Sequence, residues 1–393
     1  MKKINLLVLL IITLCLFLVQ IVPIFASASE LPPKPDKITY ACYEMGGNTY
    51  AQNAILGELI KNKFDITLRL LPCANDSSRA ATLHRGLADI TGFGTTALYV
   101  MEGLDRFAEL ETGPQQFLIL YCSTPISGMQ AAVRADSGIK TNADLKGKKV
   151  AYVIGSPGIN GLMEGHLAWA DLTWDDVIKV EVPTHIAGYA AVLEGVADAA
   201  IMTGTGSDSY KLAANPHGLY WLPVPPEDKE GWRKFNTKSP HTYSALKEFG
   251  AGVSKENPLW MVSYNYYIMA KPDLDESTAY WVTKSIWENY DEAVKSAESM
   301  VEYNLPENGL KTRWPYPWHP GSIKYLKDVG LWGKTQEANQ QPLLERQAGL
   351  KALWEETISI FMDKGIAAKD FVGFWLERRN EQYPDFYKPV IYD

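Results

Sequence analysis

The sequence predicts an α/β protein of two lobes, each a mostly parallel sheet flanked by helices, joined by two hinge segments. Three observations lead there. From Ile38 onward, short apolar runs alternate with helix-like amphipathic runs, the mark of parallel βαβ units. The same rhythm restarts after Ala135-Asp136-Ser137-Gly138, so there are two such units. A long apolar and aromatic run, Leu259 to Ala270, follows the second unit and is suited to carry the chain back to the first.

In the first unit, Ile38 to Cys42 reads as a strand and Glu44-Met45-Gly46-Gly47-Asn48 as a turn. A helix is expected from Thr49, with Gln52 as its capping-box partner and Ala51, Ala54, Ile55 and Leu59 as its buried stripe. Ile66, Leu68 and Leu70 alternate as a second strand that ends at Cys73. Asn75-Asp76-Ser77-Ser78 is rich in N-cap residues and opens a short helix that Gly86 stops. Ala88 to Phe93 is a third strand, and Thr95-Thr96 caps the next helix. In the second unit, Lys148 to Ile154, Val177 to Val182 and Ala199 to Thr203 read as strands. Helices over about Asn160 to Ala170 and Ile186 to Glu194 separate them. One lobe is thus expected from 36–133 plus 262–393, the other from 134–261, with crossings near Arg134 and Trp260–Tyr264.

Of the 393 residues, the first 28 read as an export signal: Lys2 and Lys3, an apolar run from Leu6 to Val22, then the small residues Ala26-Ser27-Ala28. A retained signal-anchor is the alternative. A net charge of −8 with no Lys/Arg-rich run argues against nucleic acid or an anionic membrane as partner. Past the signal, Cys42, Cys73 and Cys122 match no zinc or redox spacing. Cys42 and Cys73 could pair, since each ends a strand, or stand as independent buried thiols.

A strand, then a loop of Gly, Ser, Thr or Asn, then a helix start recurs at Gly46–Tyr50, Asn75–Arg79, Gly94–Thr96, Ser156–Gly161 and Thr203–Ser207. Helix starts leave backbone N–H groups unpaired and carry partial positive charge, so several in one crevice would hold an anion. In open α/β sheets that crevice lies at the carboxyl ends of the strands. The candidate ligand-binding residues are Gly47, Asn48, Thr49, Ser77, Ser78, Arg79, Thr95, Thr96, Ser156, Gly158, Asn160, Gly161, Thr203 and Thr205, with Tyr43, Tyr50 and Tyr189 as walls. Taken singly, each loop also reads as an ordinary cap, and most aromatics as core. Arg79, unfavourable beside a helix start, makes sense if it grips a carboxylate; a solvated arginine covering apolar surface is the other reading. The motifs of zinc proteases, serine hydrolases, P-loops and dinucleotide folds are absent, so no catalytic residue, metal or cofactor is expected. A secreted enzyme acting on a small carboxylate and a ligand-sensing protein signalling to a membrane partner stay as alternatives.

These segments resemble the TAXI family, receptors of TRAP-type transporters within the two-lobed periplasmic binding proteins. The stretch from Val133 to Val150 looks like the start of the second lobe in that family. Gly155-Ser156-Pro157-Gly158, Leu193 to Ala199 and Trp318-His319-Pro320-Gly321-Ser322-Ile323-Lys324-Tyr325 match further. The resemblance runs from about residue 38 to 332. It implies a periplasmic, monomeric receptor that closes on a small organic anion, a carboxylate, and docks on integral-membrane TRAP permease subunits driven by an ion gradient. Residues 334–393 extend past it as amphipathic helices, expected either to pack on the body or to dock a partner.

Overall fold

Strand alternation begins where the sequence places it, with β1 (Lys37–Tyr43) followed by α1 (Asn48–Phe64), β2 (Thr67–Cys73), α2 (Asp76–His84), β3 (Ile90–Phe93), α3 (Thr96–Glu102) and β4 (Leu118–Ser123). The computed structural model describes residues 31–123, 125, 127–304 and 314–385; the expected export signal lies outside the described residues. The second unit runs β5 (Met129–Arg134), β6 (Lys149–Val153), α4 (Pro157–Trp169), β7 (Ile178–Val182), α5 (His185–Leu193), β8 (Ala199–Thr203), α6 (Ser207–Ala214), β9 (Leu219–Trp221) and α7 (Lys229–Lys238). A hairpin of β10 (Tyr243–Lys247) and β11 (Leu259–Ser263) leads to β12 (Tyr266–Ala270). Helices α8 (Glu276–Glu288), α9 (Tyr290–Ser296), α10 (Pro320–Asp328), α11 (Lys334–Lys364) and α12 (Phe371–Gln382) complete the chain.

The strands form two five-stranded sheets on one plan. The first has the order β2-β1-β3-β12-β4 and the second β7-β6-β8-β5-β9. Four strands of each run the same way, and an inserted strand, β12 or β5, runs antiparallel to its neighbours. Strands covered on both faces read as continuous apolar runs, and all six residues of β4 are buried.

Two expectations about the crossings need correction. The first sheet is left at Ser123 and the second entered at Met129, not near Arg134, so Met129 to Val133, expected in the first lobe, lies in the second sheet. Leu259 to Ala270 is two strands: β11 pairs with β10 in the hairpin, and only β12 returns to the first sheet. A uniformly apolar run gives no signal for such a break. The buried Lys247 joins the two crossings, its Nζ donating to the Pro125 carbonyl at 2.6 Å and the Ser263 hydroxyl at 3.0 Å.

Cys42, Cys73 and Cys122 are all free thiols. In the β1–β2 register Cys73 stands opposite Tyr43, so Cys42 is one residue out of step and alternation sends its side chain to the other face. The C-terminal helices pack inward: Leu350, Leu353, Trp354, Phe361, Phe371 and Trp375 form a separate core with Ala108. The buried Glu102 of α3 binds Arg346 through two hydrogen bonds and also Arg379, tying both helices to the first lobe. No helix among the described residues is long and apolar enough to cross a membrane.

Candidate functional site

Parallel strands deliver their connecting loops to one end of a sheet, and here the two sheets turn those ends toward each other. A cleft of about 1060 Å³, counting its open mouth, lies between them. The loop after β1 contributes Tyr43, Glu44, Gly47, Asn48 and Thr49; that after β3 contributes Thr95 and Thr96. From the second lobe come Ile159, His185, Ile186, Tyr189, Thr203, Ser207 and Asp208. The starts of α1, α3, α5 and α6 all meet this space. The crossings add Pro125, Ser127, Tyr264 and Tyr266, and the turn of 3-10 helix at Glu298–Tyr303 adds Glu302 and Tyr303.

Of the residues singled out from sequence, Tyr43, Gly47, Asn48, Thr49, Thr95, Thr96, Tyr189 and Thr203 line the cleft. Tyr189 holds the end of β8, its hydroxyl accepting from the Thr203 N–H at 2.7 Å. The others lie elsewhere. Tyr50 packs on the first core. Ser78 completes a capping box with Asn75, and Thr205 bonds the Ser127 hydroxyl at 3.1 Å. Asn160 uses both amide atoms on the backbone of Val153, at 2.9 Å each, pinning α4 to its own strand.

Ser77, Ser156, Gly158 and Gly161 sit where the lobes touch. The N–H and hydroxyl of Ser77 both donate to the Gly155 carbonyl at 3.0 Å. The start of α4 abuts α3 so closely that a Cβ on Gly158 would stand 2.2 Å from the Thr96 hydroxyl, and one on Gly161 2.0 Å from the Tyr99 hydroxyl. Glycine serves here because the backbones of opposite lobes approach without room for a side chain. The second lobe thus spends the glycines of the α4 start on closure, while Ile159 beside them faces the cleft.

Arg79 departs furthest from expectation. It is fully buried behind the cleft wall, ion-paired with the equally buried Asp76 and donating to the Gly92 carbonyl. Its guanidinium lies 3.7 Å from the centre of the Tyr43 ring. Asp76 also accepts from the hydroxyls of Tyr43, at 2.6 Å, and Thr96. Burial alone would lower the pKa of Arg79, but Tyr43 and Asp76 raise it above its ordinary value. Arg79 is therefore the counter-ion of a network that shapes the wall, with no reach to a solute.

Sequence reasoning missed Glu44, His185, Asp208, Glu302 and the tyrosines of β12 and the 3-10 turn. Glu44 follows β1 directly, so its position was a usable signal; Glu302 gives none, standing far along the chain from every loop it faces. Burial pushes His185 down to about 4, leaving it neutral at pH 7. Its Nε2 lies 3.0 Å from the Ile201 carbonyl, which can only accept, so the proton is on Nε2 and Nδ1 is an acceptor. Gln52, expected to cap α1, reaches Glu302 at 2.9 Å instead, and Gly47 caps the helix without a side-chain bond. Among the described residues, no group of His, Cys, Asp and Glu could hold a metal ion.

Solved structures similar to this chain include the alkanesulfonate-binding protein SsuA from Xanthomonas axonopodis pv. citri, at 14% identity and TM-score 0.41 over 82% of this chain and 94% of that one. Another is the periplasmic aliphatic sulphonate binding protein SsuA from Escherichia coli, at 16% identity and TM-score 0.41 over 92% and 94%. The superpositions are loose; the fold rests on the strand order, which gives the expected two-lobed α/β architecture, with helices flanking each sheet. No curated protein matches the chain. The NMT1-like family matches over residues 92–330, more than half of the sequence and both inserted strands included, and the chain belongs to that family.

Proposed function

We propose that the protein is an extracytoplasmic solute receptor that takes a small molecule into the cleft, closes its lobes over it and hands it to a membrane permease. The observation that carries this reading is the cleft itself: a space at the loop ends of two sheets, between lobes that meet through glycine. Binding would shift an open–closed equilibrium by bending at the two crossings. The motifs from Val133 to Val150 and Trp318 to Tyr325 support a TRAP-type permease as partner, a monomeric receptor and a periplasmic location. The carboxylate ligand implied by the same resemblance loses its expected anchor, because Arg79 is committed to Asp76.

The test is to purify the protein natively from its own cells, denature it, and identify the released small molecules by mass spectrometry. X-ray scattering then compares the solute-free and reloaded forms. One solute should be released, and reloading should shrink the radius of gyration and raise the melting temperature. At one hundred times its Kd a solute adds about 2.7 kcal/mol of stability. Release of no solute, with identical scattering in both forms, would sink the receptor reading.

A further inference from the structure

The charges around the cleft are one-sided. Glu44, Asp208 and Glu302 line it, while among the described residues no lysine or arginine does. The nearby cations are already engaged: Arg79 with Asp76, Lys211 with one oxygen of the cleft-lining Asp208, and Lys247 with the Pro125 carbonyl and the Ser263 hydroxyl. Two of the helix starts that meet the cleft already face the protein's own carboxylates. The Ile186 N–H at the start of α5 donates to Glu44 Oε1 at 3.3 Å across the lobes, and Asp208 stands in the first turn of α6. At α2 the N–H groups of Ser77, Ser78 and Arg79 go to Gly155, to the Asn75 side chain and to the Asn75 carbonyl. At these three starts the protein's own carboxylates and carbonyls face the dipole, so an anion there would meet like charge, whereas the starts of α1 and α3 carry no side-chain cap.

A different observation points to what is wanted instead. Glu44 Oε2 is shut off from solvent and has no hydrogen-bond partner. A buried carboxylate oxygen left unpaired is costly, and a donor on a bound solute relieves that cost. Tyr189, Tyr264 and Tyr303 supply aromatic surface in the same cleft, which favours a cation over an anion.

We infer that the solute is an organic cation, an ammonium group on a compact body, with Glu44 as its principal counter-charge and Asp208 of the other lobe as the second. The inference rests on the receptor reading and names its ligand class. Because Glu44 also binds the Ile186 amide, the residue that meets the ammonium is itself one of the contacts between the lobes.

Titration calorimetry of the purified, solute-free protein with agmatine, choline, glutarate and propanesulfonate tests it. At least one of the two cations should bind and neither anion should. Glu44→Gln should weaken the bound cation at least tenfold while the melting temperature of the solute-free protein holds. Asp208→Asn should weaken it in the same direction, a second check should Glu44→Gln fold poorly. Binding of glutarate or propanesulfonate, binding of none of the four, or full affinity in both variants overturns the cationic assignment. In each of those cases a solute released from native protein still leaves the receptor reading standing, so the two fail separately.

Discussion

Arg79→Met separates the two roles that can be given to this arginine. The substitution keeps much of the apolar stem but removes the guanidinium, leaving Asp76 fully buried with only the Tyr43 and Thr96 hydroxyls as side-chain donors. Breaking one side of a buried ion pair costs about 3–5 kcal/mol, because the remaining charge stays out of water. At roughly 2 °C per kcal/mol for a long chain, Tm should fall by about 6–10 °C. Calorimetric melting at pH 7 reads the loss directly, and Arg79→Met combined with Asp76→Asn should recover part of it, since the stranded charge is then gone. A variant that melts like the parent yet loses its solute would refute the reasoning, for Arg79 would then be a ligand contact and not an internal counter-ion.

Two further outcomes follow from the packing between and within the lobes. Gly158→Ala places a methyl group 2.6 Å from the Thr96 backbone nitrogen on the opposite lobe, so the closed form should become inaccessible. Scattering should report a larger radius of gyration in the presence of solute and calorimetry a weaker affinity, with secondary structure unchanged; normal closure would contradict the contact. His166 is fully buried, accepts the Ala131 N–H at Nε2 over 3.1 Å and bonds Asn142 through Nδ1 at 2.9 Å, and burial pushes its pKa down to about 3. With the folded pKa below the unfolded one, the unfolded chain takes up the proton first. Stability should therefore fall as pH drops from about 6.5 toward 3, at about 1.4 kcal/mol per pH unit. Urea unfolding at pH 6, 5 and 4 should show His166→Gln flattening that slope, and an unchanged slope would rule the residue out as its source.

What could be read from the chain alone was whatever is repeated locally. Alternating and continuous apolar runs fixed most strands and helices, since one face of each must be buried, and the Asn75–Ser78 cluster announced its helix start. The restart after Gly138 announced a second sheet. Loop ends at Gly47–Thr49, Thr95–Thr96 and Thr203 could be assigned to a shared cleft because parallel strands send their loops to one side. Pairings between distant segments could not be read. Whether Arg79 faced a solute or Asp76 depended on the turn of a short helix against β3, and whether α4 faced the cleft or the other lobe depended on the closure angle. The break inside Leu259–Ala270 and the arrival of Glu302 beside Glu44 and Asp208 belong to the same class. Burial pattern and caps are set by neighbours in sequence, whereas the sign of charge in a cleft is a sum over side chains that meet only once both lobes are in place.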